Sequence, residues 1–345
     1  MSVDPVAVLR EIGFWLERSR ADTHRVKAYR RAADTVEQMS SEERQRHQDE
    51  DSWSTIRGLG PKTVLIIKQS MAGRIPPYLL EKREAGEDPL ADGGQDLRTL
   101  IKGDLHCHST WSDGGSPLEE MMITARSLGH EYCAITDHSP RLKVANGLTA
   151  ERLREQMAVV AELNEVMDGF RCLQGIEVDI LDDGKLDQET ALLRELDVVV
   201  ASVHSKLRSD SESMTVRMVT AIANPRTNIL GHCTGRLVEG ERGVRPESSF
   251  DAEVVFAACQ QFDVAVEINS RPERRDPPMR LIKLALDAGC LFSIDTDSHA
   301  PGQLDFLDHG CARAVEAGIP PERIVNTWPV DELLAWTGAK LTKKS

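Results

Sequence analysis

The stretch Asp104-Leu105-His106-Cys107-His108-Ser109-Thr110-Trp111-Ser112-Asp113-Gly114 decides how the rest of the chain folds. A short apolar strand, about residues 99–105, runs directly into two histidines separated by one residue, and a carboxylate follows at Asp113. Side chains at i and i+2 of a strand point to the same face. Imidazoles suit zinc, manganese or iron, and added carboxylates suit harder divalent ions. A lone His-x-His is weak by itself, so the other histidines and acids must decide whether a metal site exists.

Composition describes an ordinary globular protein. Of the 345 residues, 40% are hydrophobic and 28% are charged, which is typical of such proteins. Apolar runs such as residues 198–201 are far too short to span a bilayer. The N-terminal segment is charged rather than apolar, and seven scattered cysteines form no Cys-x-x-Cys pair. We therefore expect a cytoplasmic protein with reduced thiols and no membrane partner.

Charge is distributed unevenly along the chain. Residues 1–99 carry 16 Lys and Arg against 17 Asp and Glu, a net charge of −1. The remainder carries 42 − 16 = 26 basic against 56 − 17 = 39 acidic residues, a net charge of −13. An acidic surface repels nucleic acid unless bound cations reverse its local sign.

The first 88 residues predict a small helical domain. Asp4-Pro5 is a helix start, and Ser40 with Glu43 makes a possible capping box. Gly58-Leu59-Gly60-Pro61-Lys62 lies between two apolar helical patterns and suggests a tight hairpin whose second helix begins at Pro61. Exposed backbone N–H groups beside Lys62 would form a phosphate site, with Gly58 and Gly60 as further DNA-binding candidates. The alternative is an ordinary corner between two helices.

A Gly-rich, acidic segment marks the boundary between this domain and the rest. We expect a linker at residues 89–98, the second domain at 99–339 and a basic tail without an assigned role at 340–345. In the second domain, apolar runs alternate with helical patterns. The runs cover residues 100–105, 132–135, 171–178, 197–203, 228–230, 264–268 and 291–294. Seven strands separated by helices imply a parallel sheet, close to a TIM-like barrel that lacks one unit: a distorted (β/α)7 barrel.

Every one of these strands delivers an ionisable or amide side chain at its C-terminal end, the face where barrel enzymes place their sites. Six of the ten histidines lie at such ends, and the sixth strand reaches Glu267 and Asn269. So many polar groups at one barrel mouth indicate a multinuclear metal site. The candidate ligands are His106, His108, Asp113, His138, Glu177, His204, His232, Asp297 and His299.

These motifs resemble the PHP (polymerase and histidinol phosphatase) domain. The matching segments are His106-x-His108, Ser112-Asp113-Gly114, Thr136-Asp137-His138, Gly175-Ile176-Glu177, Val203-His204, Gly231-His232-Cys233-Thr234-Gly235-Arg236 and Asp297-Ser298-His299. The resemblance implies three divalent ions, either zinc, manganese or iron. It assigns the first ion to His106, His108, Glu177 and Asp297, the second to Glu177, His204 and His232, and the third to Asp113, His138 and His299.

The two domains together are similar to bacterial family X DNA polymerases from which the nucleotidyltransferase core is missing. Residues 267–272 and 275–276 look closest to the C-terminal PHP domain of those enzymes, and residues 9–13, 16–17 and 28–33 look like their N-terminal domain. In that family the helical domain binds DNA ends, and Lys62 matches a phosphate-contacting position. Ile66 stands where lyase members carry a lysine nucleophile, so lyase activity is not expected. The near-neutral charge predicts weak, salt-sensitive DNA binding.

The predicted activity is metal-dependent hydrolysis of phosphoesters at DNA ends, as a 3′–5′ exonuclease or 3′-end processing enzyme. Two ions about 3.5–4 Å apart supply a hydroxide nucleophile and cancel phosphoryl charge. Lys206 and Arg236 are candidates for contacting phosphoryl oxygens, and Asp137 for orienting an imidazole; ordinary solvated charge is the alternative for the two cations.

Three other functions stay open at this point. A small-molecule phosphatase of the histidinol-phosphate type fits the barrel but gives the N-terminal domain no role. An amidohydrolase also begins with His-x-His in a barrel, but usually bridges its metals with a modified lysine where this chain has His204. A non-catalytic tethering domain would be expected to have lost ligands, and none of the nine is missing here.

Overall fold

The fold is described from a computed structural model, which covers residues 3–240 and 243–342. Its contacts separate the chain into two compact units, Met1–Pro89 and Leu90–Ser345. Within the described ranges, no helix has both the length and the apolar character needed to cross a bilayer.

The first unit consists of helices. Asp4 caps the first by accepting from the N–H of Val6 at 3.1 Å, and Ser40 and Glu43 form the predicted capping box at the third. Each cap pairs N–H groups that a helix start leaves without partners. The helices are α1 (Pro5–Arg18), α2 (Thr23–Glu37), α3 (Ser41–Asp49), α4 (Pro61–Met71) and α5 (Pro77–Ala85).

The glycine-rich hairpin has the geometry that the sequence predicts. Gly58 has φ 94°, which favours glycine, and Gly60 is the extended N-cap residue of α4. Lys62 is exposed in the first turn of α4, while Ile66 is only 3% exposed in the apolar core of this unit. The hairpin therefore exposes Lys62 to solvent, whereas the side chain of Ile66 is buried.

The second unit is a barrel of seven parallel strands in the order β1 to β7. Apolar side chains from β1–β6 and from Leu333 and Trp336 form one of its buried clusters. The strands are β1 (Gly103–Cys107), β2 (Tyr132–Ile135), β3 (Arg171–Asp179), β4 (Val198–Ser202), β5 (Ile229–Leu230), β6 (Ala265–Asn269) and β7 (Phe292–Asp295). The helices are α6 (Gln95–Arg98), α7 (Leu118–Ser127), α8 (Ala150–Val166), α9 (Thr190–Leu193), α10 (Ser211–Ile222), α11 (Ala252–Gln261), α12 (Met279–Asp287), α13 (Leu307–Ala317) and α14 (Val330–Thr342).

Side chains close the barrel between its first and last strands. The N–H of Leu105 donates to Asp295 at 2.9 Å, and the N–H of Thr296 donates to Asp104 at 3.2 Å. A single bridge joins Cys107 to Ser298 just beyond these contacts. The ends of β1 and β7 therefore lie side by side, which brings His106 and His108 next to Asp297 and His299.

Three segments differ from the sequence-based prediction. β1 begins at Gly103 rather than near residue 99, because α6 occupies the end of the predicted linker and packs against α13. Leu90, at the start of that linker, donates its N–H to Asp308 at 2.8 Å. The predicted tail also changes, since α14 continues through Thr342; residues 343–345 lie outside the described residues.

Candidate metal centre

A single buried carboxylate stands at the centre of the barrel mouth. Glu177, near the end of β3, is 1% exposed. Its Oε2 lies 2.8 Å from Nδ1 of His138, and its Oε1 lies 2.9 Å from Nε2 of His232 and 3.2 Å from Nε2 of His204. Three strand ends therefore meet at the two oxygens of one side chain, the arrangement that a bridging carboxylate requires.

The end of β1 brings two further imidazoles to this carboxylate. Nε2 of His106 lies 3.4 Å from Oε2 of Glu177, and Nε2 of His108 lies 3.6 Å from the same oxygen. His108 also lies 3.4 Å from Oδ1 of Asp297. The spacing of two along β1 thus places both rings on one side, as the sequence predicts.

Asp113 completes a third part of the cluster nearer the solvent. Its Oδ1 lies 3.5 Å from Nε2 of His138 and 3.4 Å from Nε2 of His299. All nine sequence-predicted ligands thus converge. Donor atoms within 4.8 Å of one another define four groups in the described residues: His108, Asp113, His138 and His299; His106, Glu177 and His232; His106, His108 and Asp297; and His138, Glu177 and His204.

Several buried donor atoms in this cluster lack a hydrogen-bond partner within the described chain. They include Nε2 of His106, both ring nitrogens of His108, Nε2 of His204 and Oε2 of Glu177. Buried polar atoms without partners are costly, so native proteins seldom keep them. Divalent cations are the natural partners of neutral imidazoles and carboxylates held together in this way. The side chains present therefore fit a multinuclear metal site.

The electrostatics keep the acids of the cluster ionised. Burial alone would raise the pKa of Glu177, but the facing rings of His204 and His106 hold it well below its usual range. Burial likewise opposes ionisation of Asp297, but the guanidinium of Arg274, the hydrogen bond from His108 and the charge of Arg271 together hold that pKa well below its usual range. His204 is buried between Glu177 and Asp179, and the two carboxylates raise its pKa to about 9 despite the cost of burial.

Two further acids hold imidazoles in place. Oε1 of Glu267 accepts from Nδ1 of His106 at 2.5 Å, and Oε2 accepts from the N–H of His232. Oδ1 of Asp179 lies 2.5 Å from Nδ1 of His204. A carboxylate on one ring nitrogen fixes the tautomer and leaves the other nitrogen for a metal. The sequence placed Glu267 at a strand end but gave it no role, and Asp179 was missed; it lies two residues after Glu177, on the same face of β3.

We expect Glu267→Gln to lower the affinity for divalent metal by about 10–100-fold, because the amide no longer holds His106 in the metal-binding tautomer as strongly. Metal titration with a competing chelator measures this. Glu253→Gln, the same change at an exposed position on α11, is the matched control and should bind metal like the original protein. Equal affinities in both variants would contradict the role of Glu267.

Two arginines from the segment after β6 reach the cluster, and no sequence motif predicts a role for either. Nε of Arg274, a buried side chain, donates to Oδ2 of Asp297 at 2.8 Å. Nη1 of Arg271 lies 3.1 Å from Nδ1 of His299 and donates to the carbonyl oxygen of Asp297 at 3.1 Å. Arg271 and Asn269 frame a tight turn, since the N–H of Arg271 donates to Oδ1 of Asn269.

The prediction that Asp137 orients an imidazole is wrong. Its carboxylate accepts from the N–H groups and hydroxyls of Ser109 and Ser112 and from the amide of Gln156 at 2.6 Å. None of these partners in the described chain is an imidazole. Asp137 instead fixes the loop that leads from His108 to Asp113.

The structure also gives the two predicted phosphate-contacting cations other partners. Nζ of Lys206 forms an exposed ion pair with Oδ2 of Asp182 at 2.7 Å. Arg236 donates to the carbonyl oxygens of Arg274 and Arg275 and lies 3.5 Å from Glu247. The side chain of Arg236 therefore stabilises the segment that carries Arg271 and Arg274.

Comparison with protein families gives two matches. Residues 104–270 match the PHP domain, and residues 3–74 match a helix-hairpin-helix domain. The first range contains β2 to β6 and all of β1 except Gly103, and the second contains the Gly58–Gly60 hairpin.

Two curated relatives match different shares of the chain. The chain is 37% identical over 270 residues to the Bacillus subtilis protein named DNA polymerase/3′-5′ exonuclease PolX, covering 76% of this chain and 45% of that protein. The chain thus spans less than half the length of that relative. It is 30% identical over 237 residues to a probable phosphatase of Serratia proteamaculans, covering 66% of this chain and 90% of that protein.

Among solved structures, a histidinol phosphate phosphatase from Lactococcus lactis, in complex with zinc, L-histidinol and phosphate, superimposes with a TM-score of 0.46 and 19% identity. The superposition covers 64% of this chain and 95% of that one.

The chain belongs to the PHP domain family of metal-dependent phosphoesterases and carries a helix-hairpin-helix domain in its N-terminal unit.

Proposed function

We propose that this protein hydrolyses phosphodiester bonds at DNA ends, as a 3′–5′ exonuclease or 3′-end processing enzyme. The observation that carries the proposal is the presence in one chain of nine converging metal donors and a helix-hairpin-helix domain with an exposed Lys62. The relative from Bacillus subtilis, whose name includes a 3′-5′ exonuclease, supports DNA as the substrate.

The proposed site holds three divalent ions. His106, His108, Glu177 and Asp297 would bind the first, Glu177, His204 and His232 the second, and Asp113, His138 and His299 the third. Bound divalent ions activate water at neutral pH and neutralise charge on phosphoryl oxygens. Glu267 and Asp179 hold their histidines in the binding tautomer, and Arg274 holds Asp297 in place. Such ions would also make the mouth of an acidic barrel attractive to a phosphate.

The direct test is incubation of the full chain, loaded with Mn²⁺ or Zn²⁺, with single-stranded, nicked and 3′-recessed DNA labelled at the 5′ end. We expect stepwise shortening from the 3′ end, and we expect it to be lost in His106→Ala and Asp297→Ala. If DNA stays intact with every metal while small phosphomonoesters are cleaved, DNA is not the substrate.

Phosphomonoester hydrolysis is the second candidate function, and one observation favours it. The chain matches probable phosphatases over 89–90% of their length with only 65–66% of its own residues, a share that the barrel could supply alone. Steady-state kinetics on histidinol phosphate and on a generic phosphomonoester, compared with an oligonucleotide, rank the three substrates by kcat/KM.

We expect Lys62→Ala to weaken binding of a DNA end by a few-fold and to reduce the dependence of log Kd on log salt by about one phosphate contact. Fluorescence anisotropy at several salt concentrations measures both quantities. Lys68→Ala is the matched control on the same helix, because Lys68 is already paired with Asp51. An unchanged salt dependence in Lys62→Ala would remove the hairpin lysine from the DNA interface.

A further inference from the structure

Arg271 lies at the edge of the metal cluster with part of its hydrogen-bonding capacity unused. The side chain is 12% exposed, and Nη1 is 3.7 Å from Oδ1 of Asp297. Its Nε is buried and has no hydrogen-bond partner in the described part of the chain. The nearest carboxylate oxygen on that side, Oε2 of Glu273, is 3.9 Å from Nε, too far for a hydrogen bond.

The two contacts that Nδ1 of His299 makes could not both persist if Nε2 of the same ring bound a cation. Nδ1 of His299 lies 3.1 Å from Nη1 of Arg271 and 2.9 Å from the carbonyl oxygen of Asp297. A neutral ring has one donor and one acceptor nitrogen. If Nε2, which faces Asp113, held an ion, Nδ1 would carry the proton and would donate to the carbonyl oxygen of Asp297. Arg271 would then face an N–H group and lose an acceptor.

Metal binding would therefore leave Arg271 with an unpaired N–H at Nε and, at Nη1, only the acceptor that the carbonyl oxygen of Asp297 provides at 3.1 Å, beside the ion-binding group formed with Asp113. A planar guanidinium with unused N–H groups suits two oxygens of a phosphate. The neighbouring cations are engaged elsewhere: Arg274 with Asp297, Arg236 with carbonyl oxygens and Lys206 with Asp182.

We propose that Arg271 is a catalytic residue that binds a phosphoryl oxygen of the substrate and of the released phosphate group. This inference rests on the proposed phosphoesterase function and adds a residue that sets affinity for the phosphoryl group. Arg271 contributes charge and direction at the phosphate, and we expect its removal to leave all nine metal-donor side chains in place.

The test measures binding of inorganic phosphate to the metal-loaded full chain by calorimetry, together with metal content by elemental analysis. We expect Arg271→Gln to weaken phosphate binding by about 10–100-fold, as for loss of a charge-assisted hydrogen bond, with metal content unchanged. Arg271→Lys should recover only part of the affinity, because an ammonium group lacks the planar fork.

Arg275→Gln is the matched control, since Arg275 lies in the same segment but is 57% exposed and 3.6 Å from Glu239. It should bind phosphate within about twofold of the original protein. Phosphate affinity in Arg271→Gln equal to that of Arg275→Gln overturns the proposal, and so does a loss of phosphate binding that only follows a loss of metal. If the original protein binds phosphate but cleaves no phosphoester, the proposed function fails while the Arg271 contact is still tested by the same titrations.

Discussion

Glu177→Gln is expected to reduce kcat for phosphoester hydrolysis by about 10³-fold or more, since it disrupts ion binding and with it several kcal/mol of transition-state stabilisation. The amide keeps the shape of the side chain but replaces one oxygen with a donor. Both oxygens of Glu177 face imidazole nitrogens, at 2.8 Å for His138 and 2.9 Å for His232. An NH₂ group at either position cannot coordinate a cation, so one ion-binding group loses its shared ligand.

Elemental analysis measures the loss of bound metal in Glu177→Gln, and kinetics measures the loss of kcat. The metal content of Glu177→Gln should fall below that of the original protein, and excess metal should restore only a small part of kcat. Asp183→Asn, a carboxylate-to-amide change in an exposed loop, should leave metal content and kcat unchanged. Full activity in Glu177→Gln at the original metal content would exclude a bridging role for this carboxylate.

The convergence of these ligands could be predicted from sequence because it depends on one rule of barrel topology. Parallel strands all end at the same face, so a histidine or acid at each strand end must lie near the others. Glu177 and His232, 55 residues apart, meet for this reason. The rule tolerates small errors in strand boundaries, which is why the misplaced start of β1 did not affect the prediction for His106 and His108.

The prediction that Asp137 orients an imidazole was wrong for a physical reason that can be read from the sequence. Adjacent residues of an extended chain point to opposite sides. Since His138 faces Glu177, Asp137 must face away, and it binds Ser109 and Ser112 instead. The alternation of side chains along the strand end therefore distinguishes a candidate ligand from a residue that supports a loop. Closeness in sequence to a histidine does not distinguish them.

The arginines could not be placed from sequence, because loop conformation decides where they point. Residues 271, 274, 275 and 236 all follow strand ends, yet they have four different environments. Arg275 has φ 46°, a left-handed conformation that no local pattern of charge predicts. A basic residue just beyond a ligand is therefore a poor guide to phosphate contact until the turn around it is known.

Arg274→Met is expected to destabilise the metal-free protein by about 3–5 kcal/mol, because it removes the guanidinium that is hydrogen-bonded to the buried carboxylate of Asp297. The same guanidinium also lies near Glu177 and Glu267, and these acids together raise its pKa despite its burial. Denaturant unfolding with and without metal should show that Arg274→Met lowers the free energy of unfolding less in the metal-loaded protein, since bound cations also neutralise Asp297.

By thermodynamic linkage, the difference between these two losses of unfolding free energy equals the free energy by which the Arg274→Met variant binds metal more tightly than the original protein. Arg226→Met is the control: Arg226 is also buried but donates to the carbonyl oxygens of Leu193 and Leu196. Its penalty should be the same with and without metal, and an equally metal-independent penalty for Arg274→Met would mean that no cation binds beside Asp297.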